Sequence, residues 1–124
     1  MKLADFVLTG TGVYGPKRPG ESGIDIVLMH EDAEDLKQAL MNFGVGFEPV
    51  PNLSPYANGS FYFTIGRLKF NIIQAANDRD FEHWRFSTER MKDFSPIEDR
   101  KERLAVFRGY DLEVARKLIK ERRL

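Results

Sequence analysis

Residues 10–28 read GTGVYGPKRPGESGIDIVL and join a glycine-rich loop to an apolar run that contains one acid. Gly10, Gly12 and Gly15 have the G-x-G-x-x-G spacing of a dinucleotide-binding loop. That loop works when its glycines open a helix whose N-terminus holds the pyrophosphate. Residues 16–20 (PKRPG) contain two prolines and a glycine, which disfavour a helix, and the apolar run begins too soon for a crossover helix. The spacing therefore does not predict a dinucleotide site.

The first half of the chain alternates strand and helix patterns. Short apolar runs bounded by turn residues indicate buried strands, and apolar residues at helical spacing indicate a helix. The pair Gly66-Arg67 between two β-rich runs predicts a hairpin. The predicted elements are strands over 5–9 and 24–29, a helix over 31–43, and a hairpin over 61–65 and 68–74.

The second half predicts three helices. Asn77 caps the first, in which one face is formed by Phe81, Trp84, Thr88 and Met91. The run Ser95-Pro96-Ile97-Glu98 matches a capping box and opens a second helix through Phe107. Asp111 caps the last, with an inward face of Leu112, Ala115, Leu118 and Ile119. We therefore expect an α+β protein, a single domain over 1–124 with a small mixed sheet over 1–76 and a helical part over 77–124.

Composition limits the function classes. The chain has 124 residues and no cysteine, which excludes disulfides and thiolate metal sites. No stretch has the roughly 20 apolar residues of a membrane span, and the N-terminus lacks the apolar core of a signal peptide, so we expect a cytoplasmic protein. Lys+Arg and Asp+Glu are both 19, yet the C-terminus is basic: Arg116, Lys117, Lys120, Arg122 and Arg123. These side chains form either a solvated helix face or a contact with phosphates.

The order of a short strand, a Gly10-Thr11-Gly12 turn, a loop with Lys17 and Arg18, and a strand with an acid resembles the nucleotidyltransferase superfamily of DNA polymerase beta, in its small bacterial form. In that family a strand ends in Gly-Ser, and Asp-x-Asp follows on the next strand. Gly10-Thr11 stands at the first motif here, and Gly23-Ile24-Asp25 stands at the second. The resemblance covers about residues 5–30 and implies a mixed sheet with a nucleotide cleft.

The resemblance implies that a nucleoside triphosphate is bound by Gly10, Thr11, Gly12, Lys17 and Arg18, and that Asp25 is a catalytic ligand of Mg²⁺. Two acids at i and i+2 of a strand share a face and can hold two metal ions with a third acid from a neighbouring strand. Gly23 replaces the first acid, and Asn71 stands where the third is expected. The resemblance therefore implies a nucleotide-binding protein whose transfer of a nucleoside monophosphate is lost or impaired. It does not name the acceptor.

Two other functions remain open from the sequence. The chain is either an active transferase with a variant metal site, in which a bent loop brings in Glu21, or an interaction module for protein or nucleic acid. Several residues also have ordinary structural interpretations. Asp25 fits a strand-end acid, Thr11 can fix its own turn, and Lys17 and Arg18 can be solvated. The further candidates are Lys69 for the cleft, Phe81, Trp84 and Phe86 for base stacking or core packing, and His30 and His83, which lack ligand spacing.

Overall fold

The computed structural model describes residues 5–16, 23–51 and 54–124. These residues form five strands and five helices, which confirms the α+β class. In chain order the elements are β1 (Phe6–Thr9), α1 (Thr11–Tyr14), β2 (Gly23–Met29), α2 (His30–Asn42), β3 (Glu48–Val50), β4 (Ser60–Ile65), β5 (Leu68–Ala75), α3 (Asp78–Met91), α4 (Arg100–Phe107) and α5 (Leu112–Lys120).

The strands form one mixed sheet in the order β1-β2-β5-β4-β3. Among the described strands, β2 and β5 pair in parallel, and the other neighbours pair antiparallel. The β4–β5 hairpin turns at Gly66-Arg67, as predicted. Because β1 and β2 are antiparallel neighbours, they are not the two parallel strands of a βαβ unit, which a dinucleotide-binding fold requires.

One face of the sheet packs against α2. Its buried side chains come from alternate strand positions, as the period of two along a strand requires. They include Leu28, Phe61, Phe63 and Ile72, which meet Ala33 and Leu40 of α2. This apolar layer is one of the two cores that the sheet builds.

The opposite face packs against α3. Val7, Val27 and Ala75 of the sheet meet Phe81 and Trp84 of α3. A further cluster joins the end of α3 to the last two helices and consists of Met91, Ile97, Ala105, Val106 and Ala115, with Tyr14 packed against it. The helical part is thus anchored to the sheet through both α3 and α1.

The start of α3 confirms the sequence prediction, whereas the start of α4 corrects it. Asn77 caps α3 and accepts a hydrogen bond from the backbone N–H of Asp80. The predicted capping box at residues 95–98 is wrong, because Asp99 caps α4 and accepts from the N–H of Glu102. Ile97 is buried in the core instead, which leaves the helix to begin at the next residue able to cap it.

Other boundaries differ in smaller ways. The short strand β3 and the single turn α1 were missed, since neither has a periodic apolar pattern long enough to detect. Asp111 occupies the cap position of α5, but its side chain forms no capping hydrogen bond. On the predicted inward face of α5, Ala115 is buried and the other three residues are half-buried. No helix among the described residues has the length and apolarity needed to cross a membrane.

Candidate functional site

Four side chains form a polar row across the sheet, on the face that packs against α3. Thr9 of β1 pairs with Asp25 of β2, Asp25 pairs with Asn71 of β5, and Asn71 pairs with Tyr62 of β4. Residues directly opposite one another on neighbouring strands point to the same face. The row therefore brings the two predicted positions Asp25 and Asn71 side by side, with one carboxylate among its four members.

Gly10 lies so close to the Asp25 carboxylate that a side chain at this position would displace it. Its φ of 81° lies in the region that favours glycine, and a Cβ at this position would overlap Oδ2 of Asp25. Glycine is therefore favoured at the first position of the turn because the backbone there contacts the Asp25 side chain.

Gly23 has a different environment. It pairs with Lys69 on β5, and a Cβ added to it would lie 3.2 Å from Nδ2 of Asn71. A small shift of the Asn71 amide would accommodate a side chain there. Lys69 itself lies with Nζ 4.4 Å from the centre of the Tyr62 ring, so its ammonium group is on the same face as the polar row.

The segment after Gly10 is a single helical turn. The backbone N–H groups of Val13 and Tyr14 donate to the carbonyl of Gly10, at 2.9 and 3.3 Å. Thr11 is the first residue of this turn, and Gly12 is exposed. The predicted phosphate contacts Lys17 and Arg18, and the alternative ligand Glu21, lie outside the described residues.

Tyr14 is a site residue that the sequence analysis missed. Its hydroxyl shares a hydrogen bond with the side chain of Thr9, whose own hydroxyl lies 2.7 Å from that of Thr88. Burial raises the pKa of the Tyr14 phenol; Arg103 opposes the shift, Asp25 adds to it, and the Thr9 hydrogen bond opposes it. Tyr14 is therefore a neutral hydroxyl at physiological pH, electrostatically coupled to the row.

The described side chains around Asp25 supply too few of the ligands that two-ion catalysis needs. Two Mg²⁺ ions in such a centre are held chiefly by carboxylate oxygens. In the described part of the chain, no three His, Asp or Glu side chains lie close enough together to hold a metal ion. Asp25 has a glycine at i−2 and the neutral Asn71 beside it, so the described residues do not fit a two-ion centre.

A pocket of about 470 Å³ opens between α3, α4 and the segment before β4. Its walls are mostly apolar and aromatic, and they include Tyr14, Tyr56, His83, Trp84, Leu104 and Phe107. Arg100, the first residue of α4, and Arg108, which follows its last residue, also line the pocket. Since Tyr14 belongs both to this wall and to the hydrogen-bonded chain through Thr9, the pocket adjoins the polar row.

His83 and Tyr56 form the aromatic wall of this pocket. Their rings stack with centres 3.4 Å apart and planes 17° from parallel. Burial lowers the pKa of His83, and the Asp80 carboxylate opposes this. His83 is thus a neutral ring that lines a cavity, while His30 contacts Gln74 through Nδ1 at 3.2 Å.

The aromatic residues of α3 divide between two environments. Phe81 and Trp84 are buried, as core packing predicts, but Phe86 is 71% exposed and belongs to neither the core nor the pocket lining. Trp84 also has a polar contact, since its Nε1 donates to the carbonyl of Tyr56 at 3.1 Å.

The comparisons with known proteins give no relative. No protein-family model, curated protein or solved structure matches this chain. Any assignment of function must therefore come from the geometry of the polar row and the pocket.

Proposed function

We propose that this chain is a nucleotide-binding protein with a nucleotidyltransferase-like fold in which metal-dependent transfer is lost or impaired. One observation supports it above the others. Asp25 and Asn71 are paired in register beside a glycine turn that packs directly on the Asp25 carboxylate. These are the positions that the resemblance assigns to the acids and to the phosphate-binding turn.

The order and direction of the strands also favour this proposal. An antiparallel β1–β2 pair followed by a parallel β2–β5 pair leaves the end of β1 and the starts of β2 and β5 at one edge. The turn at Gly10–Gly12 and the acid therefore lie at the same end of the sheet. A ligand with several phosphates could contact the turn and reach Asp25 from there.

The loss or impairment of catalysis follows from the residues at the three metal-ligand positions, of which only Asp25 is an acid. Each of the two neutral positions removes one negative charge that a pair of Mg²⁺ ions would need. A nucleotide would be held by the turn and by the hydroxyl groups of Thr11 and Tyr14, with Asn71 offering an amide in place of a carboxylate.

The direct test is calorimetric titration with ATP, GTP, CTP and UTP, each with and without Mg²⁺. We expect at least one to bind with little dependence on Mg²⁺. Gly10→Ala should weaken that binding about tenfold or more, because it displaces the turn from Asp25. Gly44→Ala is the control, since Gly44 also has a positive φ (71°) but has nothing within 4 Å of the added Cβ. No binding to any of the four nucleotides would reject the proposal.

A restoration experiment tests the reason for the loss. Gly23 does not have a positive φ and can accept a side chain. The double variant Gly23→Asp/Asn71→Asp should gain nucleotide binding that Mg²⁺ strengthens. Gly23→Asn, which has nearly the same shape without the charge, should not. If the wild-type chain already shows Mg²⁺-dependent binding and transfers a nucleoside monophosphate, the alternative of an active enzyme with a variant ligand is correct.

A further inference from the structure

The pocket beside α4 has features that the proposed triphosphate cleft does not explain. One face of α4 and its C-terminal end line the pocket. The residues on this face lie three or four positions apart on successive turns, as helical geometry requires: Arg100, Leu104, Phe107 and Arg108. Two arginines therefore line a cavity whose other walls are largely aromatic. The volume of about 470 Å³ is within the range of small-molecule sites.

Among the residues that the structure describes, the two arginines have no side-chain partner. In residues 5–16, 23–51 and 54–124, neither guanidinium group forms an ion pair or a side-chain hydrogen bond. Arg90 and Arg116 in the same helical part differ: Arg116 pairs with Glu102 at 2.6 Å, and Arg90 donates to the carbonyls of Gly109 and Tyr110. The charges of Arg100 and Arg108 are thus available to a ligand.

The aromatic wall indicates the shape of that ligand. Tyr56 and His83 present stacked rings, and Phe107 lies edge-on to His83 with ring centres 6.2 Å apart. A flat ring gains most from such walls, because aromatic pairs add to the free energy of apolar burial. A neutral His83 adds no positive charge of its own, which leaves anion recognition to the two arginines.

We propose that this pocket binds a planar aromatic ring carrying an anionic group, as a ligand separate from the nucleoside triphosphate. Guanidinium groups pair with phosphate or carboxylate through two parallel hydrogen bonds. Tyr14 would lie between this ligand and the polar row, because it lines the pocket and also interacts with Thr9. A role for this ligand beside a bound nucleotide rests on the proposed function, but its binding to the pocket does not.

The test uses Trp84, which is the single tryptophan of the chain and lines the pocket. The protein is titrated with the four nucleoside monophosphates, and the fluorescence of Trp84 reports how much of the pocket is occupied. Excitation at the long-wavelength edge of the tryptophan band, with a correction for light absorbed by the nucleotide, keeps the signal specific. Benzoate, adenosine and inorganic phosphate are the comparison ligands. We expect saturable changes with a monophosphate or with benzoate, and much weaker ones with uncharged adenosine or with phosphate alone. The tighter of the two anions identifies phosphate or carboxylate as the anionic group.

Variants then assign the binding to the pocket. Arg100→Ala/Arg108→Ala should weaken it about 10- to 100-fold, as the loss of charge-assisted hydrogen bonds predicts. Lys101→Ala, which removes an exposed charge from the same helix outside the pocket, should leave it unchanged. Absence of saturable binding, survival of binding in the double variant, or an equal loss in Lys101→Ala would each overturn the inference.

The same variants separate this inference from the proposed function. If the double arginine variant loses the aromatic anion but keeps triphosphate binding, two ligands are established. If it loses triphosphate binding to the same extent, the pocket holds part of the nucleotide itself, and a separate ligand is rejected. Gly10→Ala provides the reverse comparison, because it alters the cleft without touching α4.

Discussion

Side chains alternate between the two faces of the sheet, and the two faces differ in composition. Under α2, the successive strands contribute Leu28, Ile72 and Phe61 to an apolar core. Under α3, only one end of the sheet is apolar, and the other carries the row Thr9, Asp25, Asn71, Tyr62 beside a cavity. The difference shows that one face of a sheet can be wholly apolar while the other also holds polar side chains, one of which, Thr9, is buried.

The largest effect should come from the α2 face. Phe61→Ala should lower the free energy of unfolding by about 3–5 kcal/mol, because Phe61 is 2% exposed and its removal leaves a cavity. Tyr62→Ala is the matched change at the next residue, on the other face, where the ring is only half-buried. It should cost clearly less in urea denaturation. Equal losses of unfolding free energy in the two variants would contradict the view that the α2 face contributes more to stability than the α3 face.

The second effect concerns the tight turn on the α3 face. Gly10→Ala should destabilise the protein by more than Gly44→Ala, by roughly 1–3 kcal/mol. Both substitutions strain a positive φ, but only the first collides with Asp25. Adding Asp25→Ala to Gly10→Ala should recover part of the difference, which a double-mutant cycle would measure. Without such recovery, the contact with the carboxylate is not the cause.

A smaller effect tests how α4 is held, and with it the two arginines of the pocket. Asp99→Ala should cost about 1 kcal/mol, because it removes the acceptor for the N–H of Glu102. Ser95→Ala should change the melting temperature little, since Ser95 is exposed and does not cap the helix. If Ser95→Ala destabilised the protein more than Asp99→Ala, Ser95 rather than Asp99 would be the residue that caps α4.

The smallest effect is a pH dependence from the pocket. Burial holds the pKa of His83 below its ordinary value, so the unfolded chain binds the proton first as pH falls through about 6.5. Stability should therefore be full above that pH and decline below it, until the folded protein also takes up the proton. His83→Gln should show a flatter profile between pH 7.5 and 5.5 in denaturant titrations. An unchanged profile would mean that the ring titrates equally in both states.

The sequence predicted the elements whose patterns are local. The hairpin at Gly66-Arg67 and the cap at Asn77 depend on neighbouring residues, and both are confirmed. Ser95 was mistaken for a cap because its motif is local too, but burial of Ile97 determines where the chain enters α4. Tertiary packing thus overrode a short-range signal at that point.

The candidate site was predicted in part. Asp25 and Asn71 were singled out by the resemblance, which places acids at these positions on two strands, and the structure pairs the two residues. Tyr14 and the pocket could not be found in this way, since they depend on α1, α3 and α4 meeting in space. The spacing of Arg100, Leu104, Phe107 and Arg108 along one helix face was the available signal. That spacing did not by itself reveal what this face of the helix would contact.

The parallel pairing of β2 with β5 also has a consequence for folding order. These strands are neighbours in the sheet but are separated in sequence by α2, β3 and β4, so their contact closes a long loop. Contacts between distant segments slow folding, because the entropy of closure is lost before the contact forms. Asp25 and Asn71 therefore become partners only when the central pair of strands assembles. A nascent chain released before β5 would hold the glycine turn and the acid but lack the other half of its site.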